Sequence, residues 1–487
     1  MLLQNSVNHI KEVNDKYKMI KTEKKIIIFL CLIYIFSFCF PSNLLSLTIG
    51  EEKKLAKDYM GKIKKSGLIV KDPIISSLVK NVGKEIAGVL PPQPFKFSYY
   101  VFNADSFNAF ATPGANIFIN QGLIAGLDNV DELAGIIAHE TAHAASRHVA
   151  QLIDKSKIVN LASLAGVLAG ILIGSKGNSE LSQGLSMGSL AAGQSAMLTY
   201  SRAHETEADQ KGFNYLTKTS FAPEGLLNGL KKIKAADFYG TEDIPDYFKT
   251  HPGTTKRIKA LENMLARYGQ RKKSNKIKKT KKDYNFNFIK YRIIGLYQIN
   301  IKAEKIFKKL LKNNPENPAC NYGYGLLLTR QLKLDKAKKY FKKALSARPF
   351  SPLILLELSN IYLQNENFSK ARDILIDIKD DPVVSMPAAY LLGQVQIALN
   401  KPVKAKANFE KIINQPLIPY PKAYYYIAKI YSQNHDLGLT HYYLGYYYFN
   451  IKNKKNAIMH FEKALESLIN KKKIEKINSI LKELKKH

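Results

Sequence analysis

From Ala303 to Ile412 the same pattern of small and apolar residues returns every 34 positions. Ala303, Phe307, Leu310 and Pro315 recur as Ala337, Phe341, Ala344 and Pro349, then as Ala371, Leu375 and Ile378, then as Ala405, Phe409 and Ile412. Gly325, Ser359 and Gly393 keep the same interval. A repeat of this length is one pair of helices that cannot bury its apolar face alone, so neighbouring units must stack. The small residues let paired helices approach closely, and the Phe fills the gap between units. The pattern therefore commits residues 284–487 to an α-solenoid with a concave surface for binding protein, and no chemistry is expected there. The last unit shifts register: Gly445, Ala457, Phe461 and Ala464 keep the internal spacing but lie 18 residues late. "AYYYIAKIYSQNHD", residues 423–436, reads as a single extra helix before it, and "KKKIEKINSILKELKK" as a cap.

Ahead of the repeats, residues 47–270 mix helical and strand patterns, and "RKKSNKIKKTKKD", residues 271–283, is a basic linker. The chain carries 74 Lys and Arg against 40 Asp and Glu, a net charge of +34. Such a balance suits an anionic partner: nucleic acid, a membrane surface or an acidic protein. It is also the outcome of a Lys-, Asn- and Ile-rich style of sequence. The lysines are spread along the chain without the aromatic interleaving of a nucleic-acid binder, so no nucleic acid is expected. The N-terminus has a lysine cluster, apolar residues from Ile26 to Phe40, then Pro41. This reads as a secretory signal over residues 1–46 with cleavage near Ser46, and Met19 is an alternative start. An uncleaved anchor stays open. Lipid attachment at Cys39 is disfavoured by the bulky Phe38. The three cysteines allow no disulfide framework in the body of the protein.

"IIAHETAHAASRH", residues 136–148, contains His-Glu-x-x-His. On an α-helix His139 and His143 share one face, one turn apart, where both can hold one Zn²⁺. Zinc needs a third protein ligand and leaves a fourth position for water. His148, five residues beyond His143, is turned off that face on a continuing helix and reads as a structural or surface residue. "TYSRAHETEADQKGF" supplies a better candidate: Glu205 can ligate the metal while Asp209, one turn on, accepts the N–H of a ligating His. Glu207 is offset and reads as solvated, and His204 receives no role.

"AHETAHAASRH" and "SRAHETEAD" together resemble the gluzincin metallopeptidases that include the HtpX heat-shock protease and the CAAX prenyl endopeptidases. "NAFATPGANIFINQGLI", residues 108–124, and "THPGTTKRI", residues 250–258, are similar to segments flanking the zinc helix of that family. With a signal sequence and C-terminal tetratricopeptide repeats, most of the chain resembles the periplasmic BepA-type proteases of Gram-negative bacteria. The resemblance implies a mainly α (α+β) fold: a helical gluzincin domain with a small β-sheet, then the repeat solenoid. It implies His139, His143 and Glu205 as ligands of one Zn²⁺ and Glu140 as the catalytic carboxylate. It also implies misfolded or stalled envelope proteins as substrates and the outer-membrane β-barrel assembly machinery as a partner. A non-enzymatic assembly chaperone with a latent zinc site is the alternative.

The expected chemistry is metal-assisted amide hydrolysis, with Glu140 taking the proton of the attacking water and passing it to the leaving amine. His251 and Arg257 are candidates for stabilising the oxyanion. A His on that loop could instead approach the zinc, displace the water and hold the enzyme latent. "ANIFINQG", residues 115–122, alternates like a strand and is expected to offer an exposed edge to an extended substrate. Residues 158–198 are apolar and rich in small residues, and read as a helical hairpin: a lid, a membrane-contacting element or a buried pair.

Overall fold

A computed structural model describes residues 47–155, 200–236, 246–272, 285–415 and 420–485. The secretory signal, the hairpin at 158–198 and most of the basic stretch lie outside the described residues. Among those described, no helix is long and apolar enough to cross a membrane.

Helix α1 (Ile49–Ser66) starts at a reciprocal cap between Thr48 and Glu51 and stops at Gly67, whose φ is 76°. Helix α2 (Pro73–Ala87) is capped by Asp72, with Pro73 in the first position, where its missing N–H costs nothing. Three strands follow, β1 (Ser98–Phe102), β2 (Ala109–Thr112) and β3 (Asn116–Asn120), in the spatial order β1-β3-β2. β1 runs parallel to β3 and β2 antiparallel to it. The expected edge strand is therefore the centre of the sheet. All five β3 residues are buried, and both its sides are hydrogen-bonded. β2 pairs with β3 alone among the described strands. β1 is flanked by the chain at Leu68 and Val70, where Val70 donates to the carbonyl of Val101.

The short α3 (Gln121–Gly126) leads to α4 (Val130–Ala145), capped by Asn129. From Glu132 to Ala144 every residue of α4 is buried. Its small residues allow this: a Cβ on Gly135 would lie 2.4 Å from the backbone nitrogen of Leu226. The neighbours of α4 are α6 (Arg202–Thr217) and α7 (Glu224–Ala236), with α5 (His148–Lys155) at its end. Helices α8 (Asp246–Thr250) and α9 (Thr254–Lys272) follow, the last taking in the first two residues of the basic stretch.

The repeat region begins with α10 (Phe286–Tyr297) and α11 (Asn300–Asn313). It continues as antiparallel pairs: α12 (Pro318–Arg330) with α13 (Leu334–Ala347), α14 (Pro352–Gln364) with α15 (Phe368–Ile378), and α16 (Ser385–Ala398) with α17 (Pro402–Ile413). Helix α18 (Lys422–Gln433) is the extra helix. After it come α19 (Leu437–Asn450) paired with α20 (Lys454–Ser467), and α21 (Lys471–Lys485). Phe307, Phe341, Phe409 and Phe461 are fully buried. A Cβ on Gly325 or Gly393 would come within 2.6 Å of the Phe341 or Phe409 ring, so the glycines are holes for those rings. Leu332, Glu366, Asn400, His435 and Lys452, each in a turn between helices, have φ between 53° and 64°. A side chain in this left-handed region costs about 1–2 kcal/mol relative to glycine.

Arg292 on α10 ties the two parts together. Its Nε donates to Asp72 Oδ2 at 2.8 Å, and its Nη1 donates to Glu357 Oε1 at 2.6 Å and Tyr322 Oη at 2.7 Å. All four groups are buried or nearly so. At the far end, Lys452 Nζ donates to the carbonyl of Lys65 at the end of α1.

Two substitutions test this packing by urea denaturation. Gly393→Ala drives a methyl into Phe409 and should lower stability by about 1–3 kcal/mol. Leu332→Gly relieves left-handed strain at an exposed turn and should raise it by about 0.5–1 kcal/mol, after allowing for the freer unfolded chain.

Candidate metal centre

Helix α4 carries His139, Glu140 and His143, all fully buried. Helix α6 faces it with Glu205, and the residue after α8 is His251. One donor atom from each of His139, His143, Glu205 and His251 lies within 4.8 Å of all the others. His139 Nε2 is 3.0 Å from His143 Nε2 and 3.4 Å from Glu205 Oε2. His143 Nε2 is 3.3 Å and His251 Nδ1 3.1 Å from Glu205 Oε1. Glu140 Oε1 stands 3.6 Å from His251 Nε2. Neither oxygen of the Glu140 carboxylate has a hydrogen-bond partner, nor has His251 Nε2.

Behind these groups stands a layer of holders. His139 Nδ1 donates to Asp209 Oδ1 at 2.9 Å, so its Nε2 is left as the acceptor facing inward. Arg257, on α9, donates from Nε and Nη2 to the two oxygens of Asp209, each at 2.8 Å, and its Nη1 lies 2.6 Å from Glu205 Oε2. The guanidinium is thus engaged with the carboxylates of Asp209 and Glu205. His251 is held by its neighbours: its ring stacks on Tyr247 at 4.3 Å, and its backbone nitrogen donates to the Tyr247 carbonyl.

His148 lies off the zinc-facing side, but it is buried and structural rather than at the surface. Helix α4 ends at Ala145 and Arg147 takes a left-handed φ of 53°, so α5 starts in a new direction. His148 Nδ1 thereby comes within 2.9 Å of His143 Nδ1, and its Nε2 within 3.1 Å of Glu207 Oε2. With His143 donating from Nδ1, His148 accepts there and donates to Glu207. Glu207, read as solvated, is half-exposed but also receives Lys211 and Ser146. His204, left without a role, stacks on His148 at 4.3 Å. Tyr200 stacks on His143 at 3.9 Å. The signal for His148 was present in "SRH" beside "HETEAD", but only a broken helix brings them together.

The electrostatics call for a cation. Burial and the nearby Arg257 push the His139 pKa down, yet Asp209 and Glu205 lift it to about 9. His143 is pushed well below the usual imidazole value by burial. Burial pushes Asp209 up, but Arg257 and His139 hold it at about 2. Burial raises Glu205 as well, but His251 and the two α4 histidines hold it well below the usual carboxylate range. Burial raises Glu140. Inward-facing imidazole nitrogens 3.0 Å apart with a carboxylate oxygen beside them repel one another unless a proton or a cation sits between. The nitrogen and oxygen donor set, each member held from behind, fits Zn²⁺.

Residues 73–265 match peptidase family M48, and residues 328–382 and 440–467 match tetratricopeptide repeats. The chain is similar to the "Beta-barrel assembly-enhancing protease" of Yersinia pestis, with 27% identity over 367 residues, 73% of each chain. The protein of that name from Escherichia coli K12 is 25% identical over 366 residues, again 73% of each. The "Mitochondrial metalloendopeptidase OMA1" of Schizosaccharomyces pombe is 29% identical over 187 residues, 38% of this chain and 52% of that one.

Removing the support behind His143 should weaken the site while leaving its donors in place. His148→Gln should bind zinc about 10-fold more weakly in competition with a chromogenic chelator. An unchanged affinity would show that His148 only packs.

Proposed function

We propose that the chain is a zinc metalloendopeptidase of the M48 type followed by tetratricopeptide repeats, and that it cleaves misfolded or stalled proteins of the cell envelope. The observation that carries the site assignment is the buried convergence of His139, His143, Glu205 and His251 beside the unpartnered carboxylate of Glu140. His139, His143 and Glu205 are the ligands of one zinc. When bound, zinc supplies a Lewis acid that makes water nucleophilic at neutral pH and polarises the scissile carbonyl. Glu140 takes the proton of the attacking water and delivers it to the nitrogen of the leaving amine. Asp209 fixes the tautomer of His139, and Arg257 holds Asp209 and Glu205 in register rather than meeting the oxyanion.

His251 is the fourth inward-facing donor. With its imidazole beside Glu205, it would be a fourth protein group able to hold the metal, in the position that the attacking water would otherwise take. That arrangement would be a resting, latent form, and withdrawal of His251 would open the site and free its ring to stabilise the oxyanion. The side of β2 that pairs with no described strand takes an extended client segment by main-chain hydrogen bonds. Residues 47–270 do the chemistry, 271–283 connect, and 284–487 dock the client or an assembly machine.

The name of the Yersinia and Escherichia relatives supports β-barrel assembly as the setting. The export signal supports the periplasm, and the net charge of +34 supports contact with an anionic membrane surface. The fourth donor favours a second reading: a scaffold or chaperone whose zinc site stays latent.

The test is zinc content by atomic absorption with cleavage of unfolded casein, for wild type, Glu140→Gln and His251→Ala. One zinc per chain is expected in all three. Cleavage should be absent from Glu140→Gln and faster in His251→Ala than in wild type. Cleavage unchanged in His251→Ala would overturn latency. A Glu140→Gln variant that still rescued a deletion strain would favour the scaffold.

A further inference from the structure

The chain enters the described structure beside the end of the zinc helix. Leu47 N donates to Asp154 Oδ1 on α5 at 2.7 Å. The Leu47 carbonyl accepts from Arg147 Nη2 at 2.6 Å. Arg147 Nε also donates to Glu52 Oε2 at 2.8 Å, and Glu52 Oε1 accepts from Gly114 N in the β2–β3 turn. Glu52 is 3% exposed, an unusual burial for a carboxylate, so this arginine is held firmly. The Leu47 side chain is itself buried, in a cluster with Leu55, Val149, Ile153 and Tyr200. One residue later Thr48 caps α1.

We propose that Leu47 is the first residue of the working enzyme, and that its α-ammonium, freed by removal of the export signal, is the anchor for which Asp154 is placed. The proposal rests on the reading that the chain is exported. A signal peptidase hydrolyses the Ser46–Leu47 amide: water adds, Ser46 leaves as a carboxylic acid, and Leu47 keeps the amine, which takes up a proton near neutral pH. A single neutral N–H facing a carboxylate becomes a cation facing it. Charge-assisted hydrogen bonds are roughly twice as strong as neutral ones.

The position of the anchor links it to the zinc site. Asp154 lies on α5, whose first residue, His148, supports His143. Tyr200, which belongs to the same buried cluster as Leu47, stacks on the same His143. Arg147, which holds the Leu47 carbonyl, is the left-handed residue that redirects the chain from α4 into α5. Seating the new terminus therefore stabilises both supports of one ligand. Processing is in this way coupled to the strength of the metal site, without the terminus touching a ligand.

The test uses the exported full chain. N-terminal sequencing and intact mass should place the start at Leu47. Asp154→Asn, and a chain exported behind a heterologous signal that leaves Ala-Gly ahead of Leu47, should each lower Tm by about 2–4 °C. The two changes combined should cost no more than either alone, because both remove one ion pair. Zinc affinity should fall several-fold in step. A mature start at any other residue, or losses that add, would overturn the proposal. Zinc content and casein cleavage on the same preparations keep the two readings apart. A chain that starts elsewhere yet holds zinc and cleaves casein rejects the anchor alone, whereas absence of zinc rejects the peptidase reading.

Discussion

Three carboxylates, one guanidinium and three imidazoles are buried together between α4, α6, α8 and α9. Taking charges out of water costs several kcal/mol per ion unless partners compensate. With neutral histidines and Glu140 ionised, as a proton acceptor must be, Glu140, Glu205 and Asp209 leave two negative charges after Arg257 is counted. A divalent cation is the charge that closes this balance. Without one, the pocket raises the His139 pKa to about 9 against burial and Arg257, which is the same demand met with a proton. The ligands, their holders and the packing around them follow from this one electrostatic requirement.

Holding such a centre dry needs a helix buried on every side, and that dictates the composition of α4. Gly135 lies against α7, and a Cβ on Gly212 of α6 would approach within 3.1 Å of the His139 backbone nitrogen. These contacts bring α6 close enough for Glu205 to reach both histidines and for Asp209 to reach the back of His139. Breaking α4 at Arg147 serves the second histidine, which needs a partner on its Nδ1 that a straight helix cannot supply from its own turn.

What could be read from the sequence was what local periodicity encodes. The spacing of four between His139 and His143, and again between Glu205 and Asp209, fixes shared faces without any knowledge of the tertiary fold. The 34-residue recurrence likewise defines the solenoid, down to the Gly and Phe that interlock. What local spacing leaves out has a common origin. The helix that carries His143 ends three residues before His148, so spacing alone does not give the contact between the two rings. Alternation in "ANIFINQG" marks a strand but not its neighbours, and β3 proved central. The charge of Arg257 is legible in the sequence, whereas its engagement with Asp209 and Glu205 is set by the tertiary fold. Arg292 offers no signal, since its partners lie 220 residues back and 30 and 65 residues ahead.

That last arginine constrains how the two parts of the chain can work together. Asp72 caps α2 through Oδ1 and receives Arg292 through Oδ2, and Glu357 receives it from within the repeats. Rotating the solenoid against α2 would leave buried carboxylates without their cation, at a cost of about 3–5 kcal/mol. A client docked on the repeats therefore meets a fixed frame near α2. On the proposed latency, the motion that would free His251 is a local one. It belongs to the short run from α8 through His251 to Gly253, whose φ of 85° marks a turn there. His251 is held in that run by Tyr247 and Glu205, contacts that can be exchanged without breaking the clamp at Arg292.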